Sequence, residues 1–176
     1  ITDQIVALGP DQFTAFSSAQ LPAIKLVQLA AIEPDDLAAM TPAQVVGFTT
    51  AQIAAVTSDQ LSALQPSQLI ALTPIQISAL TTAQIGLLDT AQIQALSASQ
   101  IAALTTRQVA AISSEDLVAI LPDRIAALST AQLRALIDDQ VGALGTSQLE
   151  AVLPDRLAGF STAQILRFDT AQILAF

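Results

Sequence analysis

The chain has 176 residues, 52% of them hydrophobic, with a net charge of -9 and no His, Cys, Trp or Tyr. That inventory excludes disulfides, thiolate chemistry and the usual base-stacking platforms, and its charge repels phosphate backbones and anionic membrane surfaces. No window reaches the ~18 continuous apolar residues of a membrane span, because Gln, Ser, Thr or Asp interrupts every few positions; the apolar content is therefore core.

Cut every eight residues from Ile1, the chain falls into 22 octads with nothing inserted or left over. Positions 5 and 8 are apolar in all 22, position 7 is Ala in 18, and position 4 is Gln in 18. Position 1 is Ser, Thr or Asp in 13, and position 2 is Pro in seven. Ser, Thr and Asp accept an orphaned backbone N–H at a helix N-cap, and Pro is tolerated at N1, where no N–H is needed. A Gln at position 4 then stands at N3 and completes a capping box. Fourteen of the fifteen acids lie at positions 1 to 4, at the positive end of the helix dipole, Glu150 being the exception.

Each octad is thus predicted to form a short helix over positions 2 to 7 or 8, followed by a one-residue kink at the next cap. One continuous helix is excluded, since eight residues turn each apolar pair by ~80° relative to the last. A residue before Pro also avoids the helical region. The predicted fold is an all-α solenoid over residues 1–176, with a β-solenoid as the alternative; Ala, Gln and Leu are modest strand formers, and Pro in seven rungs would interrupt a ladder. Positions 5 and 8 share one helix face, and the small Ala at position 7 admits a neighbouring helix closely.

In chain order, octad 1 opens in ITDQIVALGP, which has no basic n-region and no long apolar h-region, so no signal peptide is expected in it. The missing initiator Met and the uncapped apolar positions Ile5 and Leu8 are expected of a piece of a longer array. Octad 4 contributes Lys25, the single lysine. Octad 5 carries Asp36 at position 4 and the acid pair Asp35-Asp36. Octads 11 and 12, TTAQIGLLDTAQIQAL, are nearly one sentence repeated, with Gln84 and Gln92 in register. Octad 15 carries Asp116 at position 4 beside Glu115, and octad 18 carries Asp138-Asp139. In octads 16 and 20 position 4 is Arg124 or Arg156, which cannot accept an N–H; the box there is expected to fail or to give way to a salt bridge with Asp123 or Asp155. The stretch Leu121 to Leu136 resembles Leu153 to Phe168, which reads as a segmental duplication or as a functional period of 32 residues. Octad 22 ends on Ile173 and Phe176, again without a polar cap.

The Gln row invites two readings, a surface presented to a ligand or a set of backbone fastenings, and the second accounts for the tolerated Asp. The Thr and Ser rows would suit an ice-binding face only if flat, and Pro, Gly and Leu interrupt them. The acid pairs lack the tight Gly-containing loop of a calcium site. No nucleophile and base can be paired, no Gly-rich phosphate loop is present, and no catalytic, cofactor or metal residue is nominated.

The octad L-[ST]-x-x-Q-[IL]-x-A, as in LTTAQIGL from Leu80 to Leu87 with Leu87 in the place of Ala, resembles the octapeptide arrays of very large, adhesin-like bacterial surface or secreted proteins. The resemblance covers the whole chain and implies a spacer, stalk or adhesive role with a secreted or cell-surface location. Met40 to Phe48, MTPAQVVGF, looks like the opening of a TAL-effector repeat, a DNA-binding family. That repeat is far longer and carries a base-reading loop with no counterpart here, so what is shared is a capped helix start. The expected function is non-enzymatic, with flanking repeats or end-to-end copies as partners and neither nucleic acid nor membrane insertion. The alternative is a binding module reading a polymer or protein through positions 3 and 6, among them Gln94, Arg134 and Glu150.

Overall fold

A computed structural model describes residues 2–152 and 156–175. Pro154, Asp155 and Phe176 lie outside the described residues. Among the described residues there are twenty short α-helices, two 3-10 turns and no strand, which removes the β-solenoid alternative. The helix of octad 8, Ser58–Ala63, occupies positions 2 to 7 as the capping pattern predicts. Its N-cap Thr57 is extended (φ -71°, ψ 164°), and the Thr57 Oγ1 accepts from the Gln60 N–H at 3.2 Å.

The kink is wider than the single residue expected. Leu64, at position 8, is also extended (φ -62°, ψ 129°), so the chain turns over positions 8 and 1 together. Two consecutive extended residues are needed because position 8 must leave the helix before the next cap can start another. Pro is not required for this: Thr49 before Thr50 has ψ 161°, and Thr41 before Pro42 has ψ 154°. Octad 3 departs from the pattern because Pro22, at position 6, lacks the N–H that an α-turn needs there, leaving the 3-10 turn Leu21–Ala23.

The chain divides into two compact units, residues 1–88 and 89–176, of eleven octads each. In the first, helices stack three octads apart, as Pro34–Ala39 does on Ser58–Ala63 and Thr50–Ala55 on Pro74–Ala79. In the second, Thr90–Ala95 packs on Ser114–Ala119, and Pro122–Ile125 on Thr146–Val152, with the same step. Each unit is therefore an α-solenoid. Helices of four to seven residues are too short to survive alone in water, and this stacking is what stabilises them.

Positions 5 and 8 form the core: Leu69, Leu72, Ile77 and Leu80 are all buried, as are Val109, Ile112, Leu117 and Ile120. Position 7 lies where one octad's backbone meets position 2 of the octad three earlier. A Cβ on Gly47 would stand 2.3 Å from the Ser18 carbonyl oxygen, and one on Gly159 would stand 3.1 Å from the Thr130 Cα. In octad 21 the same seam joins Arg167 to Asp138 as an exposed ion pair. The small residue preferred at position 7 follows from that approach.

Candidate functional site

The Gln at position 4 makes two sets of hydrogen bonds with opposite ends of one amide. In octad 8 the Gln60 Oε1 accepts from the Thr57 N–H at 3.0 Å, which closes the cap. Its Nε2 donates to the carbonyls of Leu29 (2.8 Å) and Ile32 (2.7 Å), 31 and 28 residues earlier. The same pair of contacts ties Gln52 to Leu21 and Ile24, Gln68 to Leu37 and Met40, and, in the second unit, Gln140 to Val109 and Ile112. The shorter step of 28 residues is three and a half octads, which sets the coil between three and four octads. Each amide thus fastens a helix start to the helix end beneath it, supplying a donor to carbonyls that a helix C-terminus leaves unsatisfied.

The amide acts whether or not position 1 can cap. Gly9, Gln65, Ile137 and Gly145 offer no side-chain cap, yet the N–H of each donates to Oε1 of Gln12, Gln68, Gln140 and Gln148. That independence explains why position 4 is more uniform than position 1.

The exceptions separate the two functions. Arg124 accepts nothing, and the Leu121 cap is missing, but its Nη1 donates to the carbonyls of Leu96 (3.0 Å) and Gln94. Arg156 donates likewise to Ala126 and Leu128. Of the two expected outcomes, failure of the box is the one seen, and no salt bridge to Asp123 forms; the guanidinium keeps the link between coils and gives up the cap. Position 4 carries a donor, Gln or Arg, in 20 of 22 octads, a regularity that capping alone does not require and that the link between coils does. Both LPDR stretches make this contact; the first forms the helix Pro122–Ile125, and of the second only Arg156 is described, ahead of the 3-10 turn Leu157–Gly159.

Acids at position 4 reverse the polarity. Asp116 receives, from the Thr90 Oγ1 at 2.7 Å and from the Ser113 hydroxyl. Asp36 is buried and makes no side-chain hydrogen bond among the described residues. Its burial, then the charges of Glu33 and Asp35, hold its carboxyl above the ordinary value.

The acid pairs do not converge. Asp35 and Glu115 face solvent beside Asp36 and Asp116, and Asp138 pairs with Arg167. Among the described residues no three His, Cys, Asp or Glu side chains lie close enough to hold a metal ion. Lys25 is exposed at its cap position. Positions 3 and 6 face outward, where Gln94, Arg134 and Glu150 are exposed together with Ile70, Ile75 and Val118. Shallow grooves follow the seams between coils, one along Ala30–Pro34 and Thr57–Gln60, another along Val118–Pro122 and Gly145–Gln148. Among the described residues no helix is long and apolar enough to cross a membrane.

The ALTTAQ repeat matches residues 29–66, 61–98, 88–122 and 110–152, and its six letters stand unbroken at Ala79 to Gln84. No match was found among curated proteins. The tandem matches span most of the chain and fall on the octads whose amides fasten coil to coil: the chain belongs to the ALTTAQ repeat family.

Proposed function

We propose that this repeat region is a non-enzymatic structural module, an elongated spacer or adhesive stalk of a bacterial surface or secreted protein. The supporting observation is the burial of the Gln row. From Gln44 onward the described glutamines of position 4 are buried, and in octads such as octad 8 both ends of the amide bond to backbone, so the motif encodes its own stacking. Flanking octads of the same polypeptide, or further copies, are the natural partners of such a module.

A second reading is favoured by one specific observation, the apolar side chains exposed at positions 3 and 6, such as Ile75 (70% exposed) and Ile70 (49%). These would serve a binding module for a polymer or protein.

Substituting Gln94, Arg134 and Glu150 together with Ala separates the two. A spacer keeps its fold and its attachment to cells or matrix, whereas a recognition surface keeps its fold and loses attachment. Small-angle scattering tests the spacer directly, since a maximum dimension close to that of a compact 176-residue domain rejects it. Labelling intact cells of the source organism with an antibody to the chain tests the surface location, and label found only after lysis rejects it.

A further inference from the structure

We propose that the seam groove formed by octads 15, 16 and 19 docks a short segment of another protein in which an apolar side chain stands among lysines or arginines. The inference rests on the binding-module reading, and it names that module's site and the chemistry of its partner.

The groove, about 280 Å³, has Val118, Leu121 and Pro122 on one side and Gly145, Thr146 and Ser147 on the other. It lies inside the array: Pro122–Ile125 packs on Thr146–Val152, and that helix packs in turn on Thr170–Leu174. Its opening therefore owes nothing to either end of the chain. The winding itself makes such a groove, since the one along Ala30–Pro34 and Thr57–Gln60 occupies the same octad positions in the first unit. The residues make its chemistry. Where the first unit has Ala30 and Glu33, the second has Val118 and Leu121, 47% and 49% exposed.

Two residues of the groove forgo stability with no return to the fold. Leu121 and Gly145 both stand at position 1, where Ser, Thr or Asp would cap, and neither supplies a side-chain cap. Leu121 leaves half of a large apolar side chain in water instead. Gly145 is required neither by its backbone, which is outside the left-handed region, nor by packing: beyond its chain neighbours an added Cβ would meet only the Gln148 Oε1, at 3.8 Å. Residues that give up stability without serving the packing mark a surface kept for a partner. Together they hold open a concave, largely apolar site with a few polar groups, here the exposed Thr146 and Ser147.

Charge decides the occupant. Glu115 stands one turn before Val118 on Ser114–Ala119, and Glu150 one turn after Ser147 on Thr146–Val152, so each shares a helix face with a groove residue. Both are exposed, as is Asp123 beside Pro122, and none of the three has an ion pair or a side-chain hydrogen bond among the described residues. Arg124, the base next to Asp123, is committed to the carbonyls of Gln94 and Leu96. An apolar groove rimmed by unpaired carboxylates is complementary to an apolar side chain flanked by cations, and it repels an acidic segment.

Fluorescence anisotropy with the whole chain tests the proposal, using three labelled eight-residue peptides that alternate leucine with lysine, leucine with glutamate, and serine with lysine. Only the leucine–lysine peptide should bind, with a dissociation constant between about 10 μM and about 1 mM for so small a contact, and less tightly at high salt. Leu121→Ser with Gly145→Ser restores two caps and makes the groove polar; it should weaken binding roughly tenfold or more while the melting temperature rises. Glu115→Gln with Glu150→Gln should weaken binding roughly threefold to tenfold and flatten its salt dependence. Ile70→Ser with Ile75→Ser removes exposed apolar surface from the first unit and should leave binding as in the parent chain. No binding at about 1 mM, equal binding of either control peptide, an affinity indifferent to the Leu121 and Gly145 changes, or an equal loss in the Ile70 and Ile75 pair would each overturn the proposal. Attachment to cells or matrix separates the two failures. Lost in the Gln94, Arg134 and Glu150 variant but kept in the Leu121→Ser, Gly145→Ser pair, it leaves the binding-module reading and sinks only the groove; kept in both, it sinks both.

Discussion

The Nε2 of Gln84 lies 2.7 Å from the carbonyl oxygen of Val56, 28 residues earlier in the chain. The Oε1 of the same amide accepts from the Thr81 N–H at 2.7 Å, so one side chain closes a helix start and ties it to the coil below. Losing the hydroxyl cap and losing the amide should therefore differ in size. Thr81→Ala is expected to cost about 1 kcal/mol, the ordinary value of an N-cap. Gln84→Ala leaves the part-buried Thr81 N–H and the buried Val56 carbonyl unsatisfied and is expected to cost about 2–4 kcal/mol. Equal losses in chemical denaturation would mean that the link between coils contributes nothing.

Arg124 keeps the link between coils but not the cap. Arg124→Gln should restore an acceptor for the Leu121 N–H and stabilise the chain by about 1 kcal/mol. Arg124→Met, which retains length and apolar stem but donates nothing, should destabilise it. Thermal melts that rank Met level with Arg would remove the guanidinium from the account.

Asp36 is an acid where the repeat needs a donor, and its carboxyl is held above the ordinary value chiefly by burial. A folded-state value above the unfolded one means that the folded chain binds this proton more tightly. Stability from this group is then fully present below the unfolded value and is lost as pH rises through the folded one. Asp36→Gln removes the buried charge and adds a donor aimed, in the register of the other octads, at the Leu8 carbonyl. It should stabilise by about 1–2 kcal/mol at neutral pH, and by less at about pH 3. A gain equal at both pH values would show that ionisation of Asp36 costs the fold nothing.

Two glycines should answer oppositely to alanine. Gly47→Ala restores the commonest residue of position 7, yet its Cβ would stand 2.3 Å from the Ser18 carbonyl oxygen and 2.8 Å from its Cα. Backbone cannot swing aside as a side chain can, so a loss of about 1–3 kcal/mol is expected. Gly142, inside the helix Asp138–Ala143, has nothing within 4 Å of an added Cβ, and Gly142→Ala should gain about 0.5–1 kcal/mol from helix propensity alone. A stabilising Gly47→Ala would show that octads 3 and 6 are not packed as closely as the structure has them.

The local half of this architecture is legible in the sequence. Caps at position 1, Pro at position 2 and the apolar pair at 5 and 8 act within six or seven residues, so their spacing alone places helices such as Thr49-capped Thr50–Ala55 and names their buried face. The capping half of the Gln amide is legible for the same reason, since Thr81 and Gln84 are three residues apart. The width of the kink is not, because two extended residues leave no mark in composition beyond the cap that one would leave.

Tertiary structure decides everything that depends on the turn of the coil. A period of eight residues carries no statement of how many octads close a turn, so the sequence cannot say that the second half of the Gln84 amide meets Val56 or that Arg124 meets Leu96. Those contacts join residues 28 apart, and their partners are backbone carbonyls, which every residue possesses and which therefore leave no trace in the choice of residue there. The donor had to be specified in the sequence, and it was, as Gln or Arg at position 4; the acceptor did not, and only the winding of the chain identifies it.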